Sequence, residues 1–442
     1  MKRRPTLLIQ AAACAAFGAL AAVSASPQGA SKAPATPKAA TASKPSAALA
    51  PRFEVAMLWP KPMPNHWIEG SSVGVAVDAQ DHVFVLNIGD AFNARTEIGA
   101  AATPPTGECC SPAPSVLEFD QQGELVGHWG GPGSGYSWPQ TPSGIAIDKQ
   151  GNVWIAGSGP NDTQLLKFSH DGKFLMAAGK AVAPPPMQAP APAAAPTGRG
   201  GRGGRGGRGG RGGPPPTPPN SASMESFAGA TRISFDASAN EAYVADGSRN
   251  RRIAVIDMNT GAIKRFWGAY GKTPSDAATP AYSPDAPASQ QFGTAVMCAE
   301  LSSDGLVYVC DRANDRIQLF KKDGAFVKEQ TIMPKTLREG SVWDIAFSRD
   351  AAQRFLYVAD GMNNQVHVFD RQSLALVASF GDGGRVPGEF FALHSIATDS
   401  KGNIYTTETY EGKRVQKFTY QGLGPVSAAG RAVLWPTSGG KP

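Results

Sequence analysis

Six stretches of this 442-residue chain repeat one local pattern: an apolar strand, a turn rich in Asp, Asn, Gly or Ser, and a β-branched or aromatic strand. They fall at residues 74–86 (GVAVDAQDHVFVL), 144–156 (GIAIDKQGNVWIA), 232–245 (RISFDASANEAYVA), 298–310 (CAELSSDGLVYVC), 344–359 (DIAFSRDAAQRFLYVA) and 395–407 (SIATDSKGNIYTT). Alternation at period two on both sides of a tight turn is the signature of a β-hairpin. A third apolar strand follows each unit, at 116–119, 165–168, 253–256, 317–320, 366–369 and 415–418. A fourth comes after it, as at 124–130, 173–179, 262–268 and 374–381. No unit contains a segment of helical period, which excludes a strand-and-helix solenoid. Four short antiparallel strands recurring at roughly forty to fifty residues predict an all-β, six-bladed β-propeller.

The ends of the repeat region bear on how such a ring closes. The last unit offers only a weak fourth strand at 423–426, whereas 53–59 (FEVAMLW), ahead of the first unit, has the fourth-strand pattern. An N-terminal strand added to the last blade would close the ring and cover two exposed sheet edges.

The units resemble NHL repeats. The resemblance rests on the strand–turn–strand segments and on Asp246…Asn250…Arg252-Ile253, Asp311…Asn314…Arg316-Ile317 and Asp360…Asn363…Gln365-Val366. It covers residues 52 to about 422 apart from one insertion. The repeated Asp246, Asp311 and Asp360 are read as turn-forming acceptors of backbone N–H groups.

The flanking and inserted segments have a different composition. Residues 1–25 carry a basic start (Lys2, Arg3, Arg4), an Ala-rich apolar stretch from Leu7 to Val23 and the small residues Val23-Ser24-Ala25, the pattern of a secretory signal peptide. No segment reaches the ~20 apolar residues of a membrane-spanning helix. Export to the periplasm or beyond the cell is therefore expected. Residues 26–51 and 181–223 are rich in Ala, Pro, Ser and Gly and read as a flexible linker and a loop insertion; 427–442 read as a tail. The formal charge of +6 falls to +3 without the signal, and five arginines at 199, 202, 205, 208 and 211 more than account for that remainder. The folded part is near neutral and shows no basic face for nucleic acid. The Arg-Gly-Gly tract also lacks the aromatics of an RNA-binding box.

Four cysteines follow the signal. Cys298 and Cys310 stand opposite each other across one predicted hairpin, within disulfide reach, and a cross-strand disulfide is expected there. Adjacent Cys109 and Cys110 leave three readings open: a vicinal disulfide, which leads, a bond to another partner, or a soft-metal site.

Candidate chemistry is sought on the face that carries the loops leading into each first strand, at 138–143, 228–231, 292–297, 338–343 and 390–394, together with the long loop 87–115. Among enzymes, the nearest resemblance is to the amidating lyase domain of peptidylglycine monooxygenases, another six-bladed NHL propeller. That resemblance implies three inward histidines on zinc, which leave one coordination position open. It also implies an arginine and a tyrosine beside them. His394, in Leu393-His394-Ser395-Ile396, matches one ligand position, but the other two fall at Ser143 and Met297. The arginine falls near Ile88 and the tyrosine at Ser248. Ser and Met complete a poor zinc site. A lone tunnel histidine is also accounted for by a hydrogen bond to a neighbouring strand.

The expected function is thus a monomeric binding module for a peptide, protein or glycan. Its candidate binding-face residues are Tyr136, Trp138, Ser143, Met297, Trp343 and His394, with Phe390 and Phe391 nearby. The alternative is a metal-dependent lyase or lactone hydrolase, in which His394 and Glu408, with Glu300 and Asp344, converge on a divalent cation, zinc or calcium.

Overall fold

The computed structural model describes residues 49–89, 92, 97–184 and 215–426, and the backbone of 433–434. The expected signal segment, most of the linker, the Arg-Gly-Gly tract and most of the tail lie outside the described residues. Among the described residues no helix is long and apolar enough to cross a membrane.

Each repeat forms a four-stranded antiparallel blade. Blade 1 runs Ser71–Val77, Val83–Ile88, Val116–Phe119, Leu125–Trp129, and blade 2 runs Pro142–Ile147, Val153–Gly157, Leu165–Phe168, Phe174–Ala178. Blade 3 comprises Arg232–Asp236, Glu241–Asp246, Arg252–Asp257 and Ile263–Trp267; blade 4 comprises Val296–Leu301, Leu306–Asp311, Arg316–Lys321 and Phe326–Thr331. Blade 5 is built from Asp344–Phe347, Phe355–Asp360, Gln365–Asp370 and Leu376–Phe380. The first strand of every blade packs beside those of its two neighbours, and blade 6 meets blade 1, so the first strands form a closed ring around a tunnel.

Blade 6 combines both ends of the repeat region. Its strands Leu393–Thr398, Ile404–Glu408 and Arg414–Pro425 are completed by Leu49–Val55, which pairs antiparallel with Arg414–Pro425. The closing strand lies four residues earlier than 53–59. The reason is visible in the register: the third strand continues to Pro425 and takes Leu49 as partner, with Phe53 opposite Tyr420. The stretch 423–426 is mostly the extension of that third strand, and Val433–Leu434 adds a short fifth strand. Phe53 is fully buried between Tyr357, Phe380 and Tyr420. Truncating such a side chain to Ala costs about 3–5 kcal/mol.

Apolar side chains gather into six clusters, one at each seam between neighbouring blades. This follows from the period-two pattern, because both faces of a propeller sheet are covered by the next blade. The repeated aspartates fasten the second strands to the loops before them. Asp246 accepts from Ala228 N, Asn250 Nδ2 and Arg252 Nε, and Asp311 accepts from Gly293 N, Asn314 Nδ2 and Arg316 Nε. In blade 5 His367 replaces the arginine as partner of Asp360.

Both expected disulfides are present. Cys298 pairs directly with Cys310, at a Cα separation of 4.8 Å, and Cys109 is joined to Cys110. The insertion is better anchored than its composition suggested. Thr217 bonds Asn161, and Arg252 donates to the carbonyls of Ser221 and Ser223, so residues 217–223 dock on blades 2 and 3.

Candidate functional site in the central tunnel

Near the loop-bearing end of the tunnel, the first strands of four blades carry a one-residue register shift. The residues set out of register are Val73, Ser143, Met297 and His394. A bulge of this kind redirects a side chain. The three positions singled out in the sequence as ligand-bearing are therefore bulged positions, but they do not form one site. Met297 packs into the apolar seam between blades 4 and 5, and Ser143 donates its hydroxyl to Ala230 O at 2.8 Å.

His394 is held by Arg232, which sequence reading did not single out. Arg232 is 4 % exposed and its guanidinium reaches across the tunnel. Nε donates to Asp344 Oδ2 at 3.3 Å, and Nη1 donates to the carbonyls of Ser143 and Thr231. Nη2 donates to His394 Nδ1 at 3.3 Å. Four of the five guanidinium N–H groups are engaged, with groups from blades 2, 3, 5 and 6, and one on Nη2 remains. Asp344 in turn accepts from Ser395 Oγ at 2.7 Å and from Ile396 N at 3.0 Å. Together these bonds plug the tunnel.

The plug fixes the state of the histidine. Burial, followed by the positive charges of Arg232 and Arg312, holds His394 well below the usual imidazole range, while a hydrogen bond to the Val73 backbone opposes this. The neutral ring accepts at Nδ1 and donates to blade 1, so neither nitrogen offers a lone pair to a metal. Trp343 lies edge-on to His394 at 5.5 Å, and the Arg312 guanidinium stacks over Trp343 at 4.4 Å. Glu408 is elsewhere: it accepts from Arg414, Gln416 and Phe391 N in the outer part of blade 6. The expected zinc or calcium set of His394 and Glu408 does not fit, because a fixed guanidinium occupies the one shared space and Glu408 is outside it. Tyr136 and Trp138 pack on Phe168, at the seam of blades 1 and 2, rather than beside Trp343.

Beyond the plug the tunnel widens into a cavity of about 410 Å³ that reaches the opposite face, where the first-to-second-strand turns lie. One register of the repeat explains the space: Ala76, Ala146, Ser234, Ala346 and Ala397 are small, and only Glu300, from blade 4, is long. The Glu300 carboxyl makes no hydrogen bond to the described residues. Burial, then repulsion from Asp344, pushes its pKa well up, and Arg232 only partly counters this. Both effects favour the protonated, uncharged form of the Glu300 carboxyl. Lys149 and Arg349 stand at the outer rim.

The sequence does contain a trace of the plug. Gly74, Gly144, Arg232, Cys298, Asp344 and Ser395 occupy one repeat position, and four of the six are small or apolar. Two opposite charges in such a register mark a pair meeting across the ring.

No protein-family profile and no curated protein matches the sequence. Solved structures that resemble the fold include a streptogramin B lyase, at 11 % identity, 84 % of this chain and 98 % of that one, with a TM-score of 0.46. A virginiamycin B lyase from Staphylococcus aureus bound to quinupristin aligns at 12 % identity over 87 % of each chain, TM-score 0.43. The WD40 β-propeller domain of Doa1 aligns at 8 % identity over 79 % of this chain and 78 % of that one, TM-score 0.42.

Proposed function

We propose that this chain is an exported, NHL-type propeller that acts as a binding module, taking the carboxylate end of a peptide into its tunnel from the hairpin-turn face. The observation that carries the reading is the cavity itself. It is walled by small and aliphatic side chains, is closed at its inner end by Arg232, and holds the buried acid Glu300, whose pKa burial raises. A carboxylate there would meet the remaining Arg232 N–H and the Glu300 O–H, with the Lys149 and Arg349 charges drawing it in. Apolar residues preceding the terminus would contact Ile145, Ile233 and Ile396. The buried plug leaves His394 and Asp344 no open valence for chemistry, which favours binding over catalysis. The disulfides at Cys298–Cys310 and Cys109–Cys110 accord with an oxidising, extracytoplasmic setting.

The test is calorimetric titration of the purified protein with short apolar peptides that end in a free carboxylate, and with the same peptides amidated. Binding of the acid and not the amide is expected. Equal binding of both, or binding of neither, overturns the reading.

A further inference from the structure

A second constellation lies away from the tunnel, at the seam of blades 1 and 2 on the hairpin-turn side. In blade 2, Asp148 closes the first hairpin: its Oδ1 accepts from Gln150 N and Asn152 N. Its Oδ2 is satisfied by Asn152 Nδ2 at 3.0 Å, Trp154 Nε1 at 3.0 Å and Lys167 Nζ at 3.3 Å. Blade 6 repeats the scheme. Asp399 Oδ2 accepts from Asn403 and from Tyr405, and the Lys417 ammonium stands in its field.

Blade 1 keeps the turn but changes all three donors. Asp78 Oδ1 accepts from Gln80 N at 2.9 Å and His82 N at 2.8 Å, as in blade 2. The asparagine position is His82, the Trp or Tyr position is Phe84, and the lysine position is Glu118, as the strand registers show. Asp78 Oδ2 consequently accepts no hydrogen bond from the described residues. Glu118 puts a second carboxylate where the other blades carry a cation, and it forms no ion pair with a lysine or arginine among the described residues. Both are buried, at 8 % and 6 % exposure.

Two imidazoles fill the gap. His82 Nδ1 lies 2.6 Å from Glu118 Oε1, and His170 Nε2, from a turn of blade 2, lies 3.1 Å from the same oxygen. His170 also rests edge-on against Phe84 at 5.2 Å. Ligand-capable atoms of Asp78, Glu118 and His170 all fall within 4.8 Å of one another.

We propose that Asp78, Glu118 and His170 form a binding site for one divalent transition-metal ion of the zinc class, with His82 bonded to Glu118 beside it. Asp78 and Glu118 bring two buried carboxyl groups together with no lysine or arginine among the described residues beside them, an arrangement that a bound cation would stabilise. One imidazole and two carboxylate oxygens suit a borderline ion such as Zn²⁺, at about 2.0–2.2 Å per bond, with a fourth position for water. Such bonds in a tetrahedral arrangement place neighbouring ligand atoms about 3.3 Å apart, so side-chain adjustments of the order of an ångström would bring the three groups, now within 4.8 Å of one another, onto one ion. The ion would join blade 1 to blade 2 where a Lys–Asp pair serves within blade 2.

The experiment uses the disulfide-intact protein, stripped with chelator, and titrated with Zn²⁺ by calorimetry and with Co²⁺ by visible absorption. One equivalent is expected, with a rise in Tm on zinc addition and a Co²⁺ d–d band of low-coordinate N/O character. Glu118→Lys, which restores the pattern of blades 2 and 6, should lose the zinc equivalent and the Tm response while remaining folded by circular dichroism. His170→Asn should lose affinity, and His394→Ala should keep the full equivalent. The absence of a stoichiometric site in the unmodified protein overturns the proposal. So does a folded Glu118→Lys variant that still binds one zinc. Peptide binding in the tunnel is a separate readout, and neither result predicts the other.

Discussion

The two ends of the tunnel are built from the same six strands, yet one is sealed and the other open. At the loop-bearing end a single register carries Arg232 and Asp344 among small or apolar residues, and the guanidinium spans the ring. Two residues further along the same strands, five of six side chains are small and the space persists. Ring symmetry supplies a frame, and the two opposite charges that break it in one register, Arg232 and Asp344, decide where the tunnel closes. The difference between the two ends also separates stability from binding. Hydrogen-bonded polar groups lie at the closed end, whereas Glu300, whose carboxyl makes no hydrogen bond to the described residues, lies in the open part.

Removing the plug should give the largest effect. Arg232→Met leaves the buried Asp344 carboxylate without its cation and should lower unfolding free energy by about 3–5 kcal/mol, measured by urea denaturation. Adding Asp344→Leu should recover much of that loss, since both charges then leave together. A variant pair with no recovery would show that the plug acts through packing rather than charge.

Filling the open end should affect binding more than stability. Ala397→Trp places an indole in the small-residue register, and it should abolish peptide-carboxylate binding while changing stability by about 1–3 kcal/mol. Retained binding in a folded variant would move the site away from the cavity.

Two smaller effects depend on pH. Glu300 has a raised pKa in the folded protein, so the native state binds its proton more tightly than the unfolded chain does. Stability from this group is present below the ordinary carboxyl pKa of 4.5 and is lost as pH rises through the folded value. Glu300→Gln should therefore raise Tm at pH 8, by about 2 °C, with the gain vanishing below about pH 4. His394 behaves oppositely in origin: its depressed pKa means the unfolded state binds the proton more readily. Its contribution is full above the ordinary value of 6.5 and declines as pH falls below it. His394→Gln, which can still donate and accept, should flatten the acid limb of a Tm–pH profile by about 1 °C between pH 7 and pH 5. An unchanged limb would indicate that other groups set it.

Much of the fold was legible because its determinants are local. Alternation, turn residues and the Asp…Asn…Arg pattern define each blade without reference to the others. Closure was legible in kind but not in position, because the pairing of Leu49 with Pro425 depends on how far the third strand of blade 6 extends. The cross-strand Cys298–Cys310 bond followed from a single hairpin. The site was harder. His394, Ser143 and Met297 share a repeat position, but their side chains go to a guanidinium, a carbonyl and an apolar seam. Tyr136 and Trp138 look like a platform in sequence and pack as seam residues in the fold. The proposed metal site needed two blades, since His170 stands 92 residues from Asp78 along the chain yet adjacent to it in space.

The sequence by itself determined six four-stranded blades, the N-terminal closure of the last and the disulfide within blade 4, because each rests on periodicity and pairing over short spans. The tertiary structure alone decided that Arg232 meets Asp344 and His394, that Glu300 is left unpaired, and that His82 and His170 converge on Glu118. Those contacts arise only when the ring is closed, since closure brings residues from separate blades to one axis or one seam and removes the water that would otherwise satisfy their charges.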